Sequence, residues 1–292
     1  MNMTRKPEWL QKRVNPREQA GMRALLGELR LNTVCQQALC PNISECFRGG
    51  QATFLILGRH CTRHCSFCNV DKSPPEPVDT GEPARVAEAV ARLGLTHVVI
   101  TSPTRDDLPD GGAALYAATV GAIRSVSPAT RIEPLIPDFQ GDRRSLAAVM
   151  TAGPDIIAHN VETVPRLYHI RSGADYGRSL DLLRTCRELA PETPVKSGIM
   201  LGMGETRDEV LRVLGDLRAA GCTYLSIGQY LAPSRNHYPV QEYIRPEIFD
   251  GLRELALDMG FSHVESGPYV RSSYHAGQYL ADIPGACHKE TT

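Results

Sequence analysis

From residue 53 onward, short apolar runs of strand length alternate with amphipathic stretches of helix length, and this rhythm limits the fold more than any other feature of the chain. Strands are expected at 53–57, 97–101, 131–136, 156–159, 195–201, 224–229 and 261–265. The helices between them carry recognisable ends. Val86, Ala87, Val90 and Leu93 share one face of a helix over 83–93, and Gly94 is placed to stop it. Thr206 and Glu209 stand in capping-box relation ahead of Val210, Leu214 and Leu217. Pro246 opens a helix whose inward face carries Phe249, Leu252, Ala256 and Met259, with Gly260 after it. Further helices are expected near 112–126, 142–152 and 176–189. About six βα units in series make a parallel sheet with right-handed crossovers. The expected class is α/β, a partial parallel (β/α)6 barrel of the TIM type, with an open doubly wound sheet as the alternative. Residues 1–50 read as an N-terminal extension, 51–266 as the barrel and 267–292 as a short C-terminal segment. The Pro-rich stretch 72–83 reads as one long loop.

Composition narrows the function classes. Hydrophobic residues are 42% and charged residues 22% of 292, which supplies a core and excludes a disordered chain. Lys+Arg of 32 against Asp+Glu of 33 leaves a net charge of −1, so no basic excess points to nucleic acid or an anionic membrane surface. No apolar run approaches the roughly 18 residues of a membrane span. The polar, basic start, residues 1–14, lacks the apolar core of a signal peptide, and a cytoplasmic protein is expected.

Six of nine cysteines fall between Cys35 and Cys68, while Cys186, Cys222 and Cys287 are scattered and are given no role. A disulfide scaffold belongs to short secreted chains, and clustered thiols in a reducing compartment point to metal. Cys61, Cys65 and Cys68 form CxxxCxxC just after the first strand, where barrel chemistry gathers. Three thiolates from one loop leave one iron of a cubane open to an outside ligand, since such clusters are normally held by four Cys. The alternative is a closed zinc site completed by His60 or His64, although zinc knuckles use CxxC pairs. Cys35, Cys40 and Cys46 form a second triplet, CxxxxCxxxxxC. It reads either as a structural zinc or iron–sulfur staple, or as a second cluster with a non-cysteine fourth ligand.

The first triplet, with Phe67 just before its last Cys, resembles the signature of the radical S-adenosylmethionine superfamily. The resemblance narrows to the lipoyl synthase family over nearly the whole chain. It is carried by Thr33-Val-Cys35, Cys40-Pro-Asn, Cys46 and Cys61-Thr-Arg-His-Cys65. It continues through Arg105-Asp-Asp-Leu-Pro-Asp-Gly-Gly112, Ile136-Pro-Asp-Phe139 and Ala158-His-Asn-Val-Glu-Thr-Val-Pro165. Lys196-Ser-Gly198, Gly202-Met-Gly-Glu-Thr206, Gly228-Gln-Tyr-Leu231 and Arg271-Ser-Ser-Tyr274 complete it. His64 departs from the Arg common in the family and leaves the ligand spacing unchanged.

The resemblance implies a sulfurtransferase of lipoate biosynthesis. Two sulfur atoms would enter at carbons six and eight of an octanoyl chain on a carrier-protein lysine. It implies two 4Fe-4S clusters and S-adenosyl-L-methionine. One cluster would sit on Cys61, Cys65 and Cys68. The other, auxiliary and sacrificed, would sit on Cys35, Cys40, Cys46 and Ser273. The implied partners are octanoylated domains of dihydrolipoyl acyltransferases and the glycine cleavage H protein, an electron donor such as ferredoxin or flavodoxin, and an iron–sulfur carrier that renews the cluster. A serine oxygen is an odd ligand for iron in a sulfide cube, and it makes sense if the cluster must be dismantled.

Other candidates have bland competitors. Without the resemblance, Ser272 and Ser273 would read as an ordinary helix cap before 274–280. Asn160 and Glu162 are candidates for holding S-adenosylmethionine, and helix capping competes for Asn160. Lys196, alone in an apolar strand, requires either a cofactor carboxylate or an internal salt bridge. Gly202, Gly204 and Glu205 form a tight loop suited to backbone contact with a cofactor. Asp106, Asp107 and Asp110 precede a helix and a Gly-Gly turn, where at least one should cap. Arg271 is expected to anchor the serine motif or a substrate carbonyl.

Overall fold

The computed structural model describes residues 6–274. Ahead of the barrel lie α1 (Ala20–Glu28), the two-residue strand β1 (Asn32–Thr33), α2 (Val34–Gln37) and α3 (Ile43–Arg48). The repeating part then runs β2 (Thr53–Leu55), α4 (Glu82–Leu93), β3 (His97–Thr101), α5 (Ala113–Val126), β4 (Arg131–Leu135), α6 (Arg143–Thr151), β5 (Ile157–Ala158), α7 (Tyr176–Leu189), β6 (Val195–Leu201), α8 (Arg207–Ala219), β7 (Tyr224–Gln229), α9 (Pro246–Asp258) and β8 (His263–Gly267).

The eight strands pair in sequence order, β2 to β8 in parallel and β1 antiparallel to β2. Each parallel step is bridged by one helix, giving the six expected βα crossovers. A doubly wound sheet reverses its strand order at a switch point, and this one never does. The serial order curls the sheet into a partial barrel, and among the described residues β8 pairs only with β7.

Local chemistry sets the element ends. Gly94 closes α4 in the left-handed conformation, φ 60°. Thr206 and Glu209 form both halves of the capping box on α8. Asp110 accepts from the amides of Gly112 and Ala114 at 2.9 and 2.8 Å and so caps the start of α5. β2, β3 and β7 are buried on both faces, which is why they read as continuous apolar runs. One core joins strands and helices. Ile56, Val86, Ile100, Tyr116, Ile132, Val213, Leu225, Ile227 and Phe249 are all inaccessible, and Cys186 and Cys222 are buried within it. Cys287 lies outside the described residues, as does most of the expected C-terminal segment, 275–292. No helix among the described residues is long and apolar enough to cross a membrane.

Candidate active site

The CxxxCxxC loop leaves β2 and is tied down by backbone bonds on every side. The amide of Cys61 donates to Asp71 O at 2.7 Å, that of Thr62 to Thr104 O at 3.0 Å and that of Ser66 to Ile170 O at 2.9 Å. Arg63, inside the loop, makes a double fork. It donates to Asp106 at 2.7 and 2.9 Å and to Asp138 at 3.0 and 2.6 Å. Asp138 is buried and also receives Arg178 at 3.2 Å. Two bidentate carboxylates hold a guanidinium in one plane, so the loop is set before any ligand arrives. Sequence reading had not singled out Arg63. Its signal was a cation between cysteines, with acidic residues at the ends of the next two strands.

Cys61, Cys65 and Cys68 are half-buried and within electrostatic reach of one another. Burial first, then the neighbouring thiols, pushes Cys68 up to about 11, and burial likewise raises Cys65. Phe67 packs against the core. Glu162 sits close to Cys65 with φ 63°, a left-handed backbone that a non-glycine residue adopts at a cost. Burial raises its carboxyl, and Arg171 pulls against that rise.

The second triplet meets the C-terminal motif. Cys35, Cys40, Cys46, Thr53, Arg271 and Ser273 line one cavity of about 210 Å³. Burial, followed by the charges of the other thiols, pushes Cys35 up to about 11 and Cys46 to about 12. Thr53 Oγ1 donates to Ser273 Oγ at 2.6 Å. Arg271 lies within reach of Cys40 of this triplet and of Glu162 beside the other, so it stands between the two thiol groups.

Several candidates have internal partners. Lys196 is fully buried and donates to Glu133 Oε1 at 2.8 Å and to Ser272 O at 2.7 Å. Burial pulls the ammonium down, and Glu133 pulls against that fall. Of its two alternatives, the internal salt bridge is the one formed, with Glu133 of β4 as the unforeseen partner. Asn160 caps no helix. Its Nδ2 donates to Ser272 Oγ at 2.6 Å, and its Oδ1 is buried without a hydrogen-bond partner. Glu205 receives the amides of Gly202 and Met203, closing its own loop. A Cβ on Gly202 would lie 2.2 Å from Gln229 Nε2 and 2.4 Å from Glu242 O, so neighbours within this chain already require a glycine there.

Both triplets fit iron–sulfur cubes. Each gathers three free thiols, and one gathers a serine as well. Among the described residues no three His, Cys, Asp or Glu side chains are grouped around one point. The orphaned Asn160 Oδ1 and Ser197 Oγ offer acceptors inside the barrel for a polar ligand.

Comparison with known proteins agrees with this geometry. Residues 55–229 match the model of the radical SAM superfamily. Methylornithine synthase has a similar fold, with a TM-score of 0.54 at 14% identity over 84% of this chain and 77% of that one. SuiB of Streptococcus suis, solved with S-adenosylmethionine, gives 0.52 at 11% identity over 74% of this chain and 50% of that one. The chain is thus a radical S-adenosylmethionine enzyme. It is 69% identical to the lipoyl synthase of Geobacter metallireducens over 96% of this chain and 99% of that one. It is 51% identical to that of Caldicellulosiruptor saccharolyticus over 94% of this chain and 98% of that one. The chain belongs to the lipoyl synthase family, sulfurtransferases that use S-adenosylmethionine and 4Fe-4S clusters.

Proposed function

We propose that the chain inserts two sulfur atoms into a carrier-bound octanoyl-lysine, with Cys61, Cys65 and Cys68 holding one 4Fe-4S cluster and Cys35, Cys40, Cys46 and Ser273 holding the other. The observation that carries this reading is the single cavity lined by the three N-terminal thiols and Ser273, which lie far apart in sequence. When bound, the first cluster and S-adenosylmethionine supply a hydrogen-abstracting radical, and the second cluster supplies sulfide.

The chain's own groups do the rest. Arg63 fixes the first loop through Asp106 and Asp138. The buried Asn160 Oδ1, and the Glu162 carboxyl near Cys65, would hold the cofactor's polar groups. Gly202 and Glu205 shape the adjoining loop wall, and Phe67 backs the first triplet. Lys196 acts from behind the site rather than on the cofactor. Arg271 lies between the thiol groups, where a substrate carbonyl would pass. Ser273 would be the labile ligand, since the iron of a sulfide cube prefers soft thiolate to hydroxyl oxygen. The packed apolar core around the site would limit the access of water to it.

The carriers are octanoylated domains of dihydrolipoyl acyltransferases and of the glycine cleavage H protein. A ferredoxin or flavodoxin supplies electrons, an iron–sulfur carrier renews the second cluster, and the site of action is the cytoplasm. The test is a single anaerobic turnover of an octanoyl-lysine peptide by protein loaded with heavy-isotope sulfide. The expected product carries two heavy sulfur atoms. Ser273→Cys should keep its second cluster and lose insertion, and full activity in that variant would contradict the labile-ligand assignment. Cys61→Ala should abolish S-adenosylmethionine cleavage while the second cluster's iron remains.

A further inference from the structure

We propose that Lys196 is a positioning residue that, together with Asn160, grips Ser272 and so sets the register in which Ser273 faces the cavity of Cys35, Cys40 and Cys46. This rests on the reading of Ser273 as a cluster ligand.

The argument begins with an ion pair that stability alone does not explain. Lys196 on β6 and Glu133 on β4 flank β5 and are both fully buried, at 0% exposure. Taking both charges out of water costs about as much as their attraction returns, and apolar residues of similar size commonly serve a fold as well or better. His97 of β3 lies beside Glu133, its Nε2 3.2 Å from Oε2 without a hydrogen bond between them. The pair therefore presents the Lys196 ammonium from two strands, β4 and β6, braced across β5. Its other bond leaves the barrel wall and ends on Ser272 O at 2.7 Å.

Ser272 is gripped twice, since its hydroxyl receives Asn160 Nδ2 at 2.6 Å. Just before it, Val270 O sits where a Cβ on Gly228 would be 2.2 Å away, so bare backbone on β7 seats the same segment. The next residue turns the other way. Ser273 lines the thiol cavity and meets Thr53 of β2, whereas Ser272 is outside that lining. A slip of one residue would exchange the two serines. Holding Ser272 by carbonyl and hydroxyl together prevents it.

The experiment compares the full chain with Lys196→Met/Glu133→Met, which removes both charges and leaves neither buried alone. Hydrogen exchange is read before cluster loading. Amides of residues 269–274 should exchange about tenfold faster, the loss of one charge-assisted hydrogen bond, while those of β4 and β6 keep the parent rates. Unchanged exchange in the segment, or equal acceleration across β4 and β6, would overturn the proposal.

After loading, an external chelator should strip one iron per chain about tenfold faster from the double variant than from the parent. Equal stripping of the two proteins would overturn the link from grip to cluster. Ser273→Ala, measured beside them, separates the underlying assignment. If that variant strips like the parent, Ser273 is not a ligand and the register claim falls with it, although the exchange data still establish the grip on Ser272.

Discussion

Glu82 begins α4 with its carboxyl buried and accepts the amide of Leu57 at 2.7 Å, immediately before the cysteine loop. Burial pushes it from 4.5 up to about 7. A carboxyl whose folded value is raised contributes stability that is complete below 4.5 and is lost as pH rises through 7. Glu82→Gln keeps the acceptor and removes the titration. Its melting temperature should gain on the parent as pH rises from about 5 to 8, by the equivalent of about 2 kcal/mol. Parallel pH profiles for the two proteins would contradict this. At Arg63 the expected effect is larger. Arg63→Met leaves the buried Asp138 with Arg178 as its remaining cation and the Gln140 amide as its remaining backbone donor, at a cost of about 3 kcal/mol, and should slow loading of the first cluster alone. Chemical denaturation and iron uptake read the two effects. These residues were hard to see in the sequence because their partners lie far along the chain. Lys196 announced that it needed a partner, but no local pattern pointed to Glu133.

At the scale of elements, the strands and helices were legible because buried parallel strands and amphipathic helices leave periods in the sequence. Three strands came out shorter than expected, β4 by a single residue, and β8 begins at His263 rather than at residue 261. β5 is Ile157–Ala158 and β2 is Thr53–Leu55, since each chain bends away at a site loop, Leu57 taking φ 67°. β1 has two residues and could leave no period at all. The loops after strands were marked as the place where chemistry gathers, but their glycines were ambiguous. Gly202 is explained by Gln229 and Glu242, which only the fold brings near. Gly228 is the sharper case, because its missing Cβ admits Val270 O. Gly228→Ala must displace backbone rather than a flexible side-chain end. It should loosen the Ser273 segment and reduce second-cluster iron while leaving the first cluster intact. Full iron in both clusters would contradict that seating.

For the whole molecule, serial βα topology and two cysteine-bearing segments converge on one architecture. The N-terminal extension and the Arg271-Ser-Ser-Tyr274 motif are joined by Asn42 Nδ2 to Tyr269 O at 2.7 Å and by Tyr274 to Glu45 at 3.1 Å. Lys12 reinforces the joint, pairing with Glu45 and lying 5.0 Å from the Tyr269 ring. The spacing of each triplet was visible in sequence. Their meeting with Ser273 was legible only through family resemblance, because nothing local distinguishes a ligand serine from a capping one. The central claim is that the two triplets hold two independent cubes. The most direct test is iron and acid-labile sulfide per chain, measured anaerobically in the parent and after replacing either triplet with alanines. The parent should hold about eight of each and either variant about four, as four-iron cubes require. A variant that loses all its iron, or a parent that binds zinc without sulfide, would contradict the account.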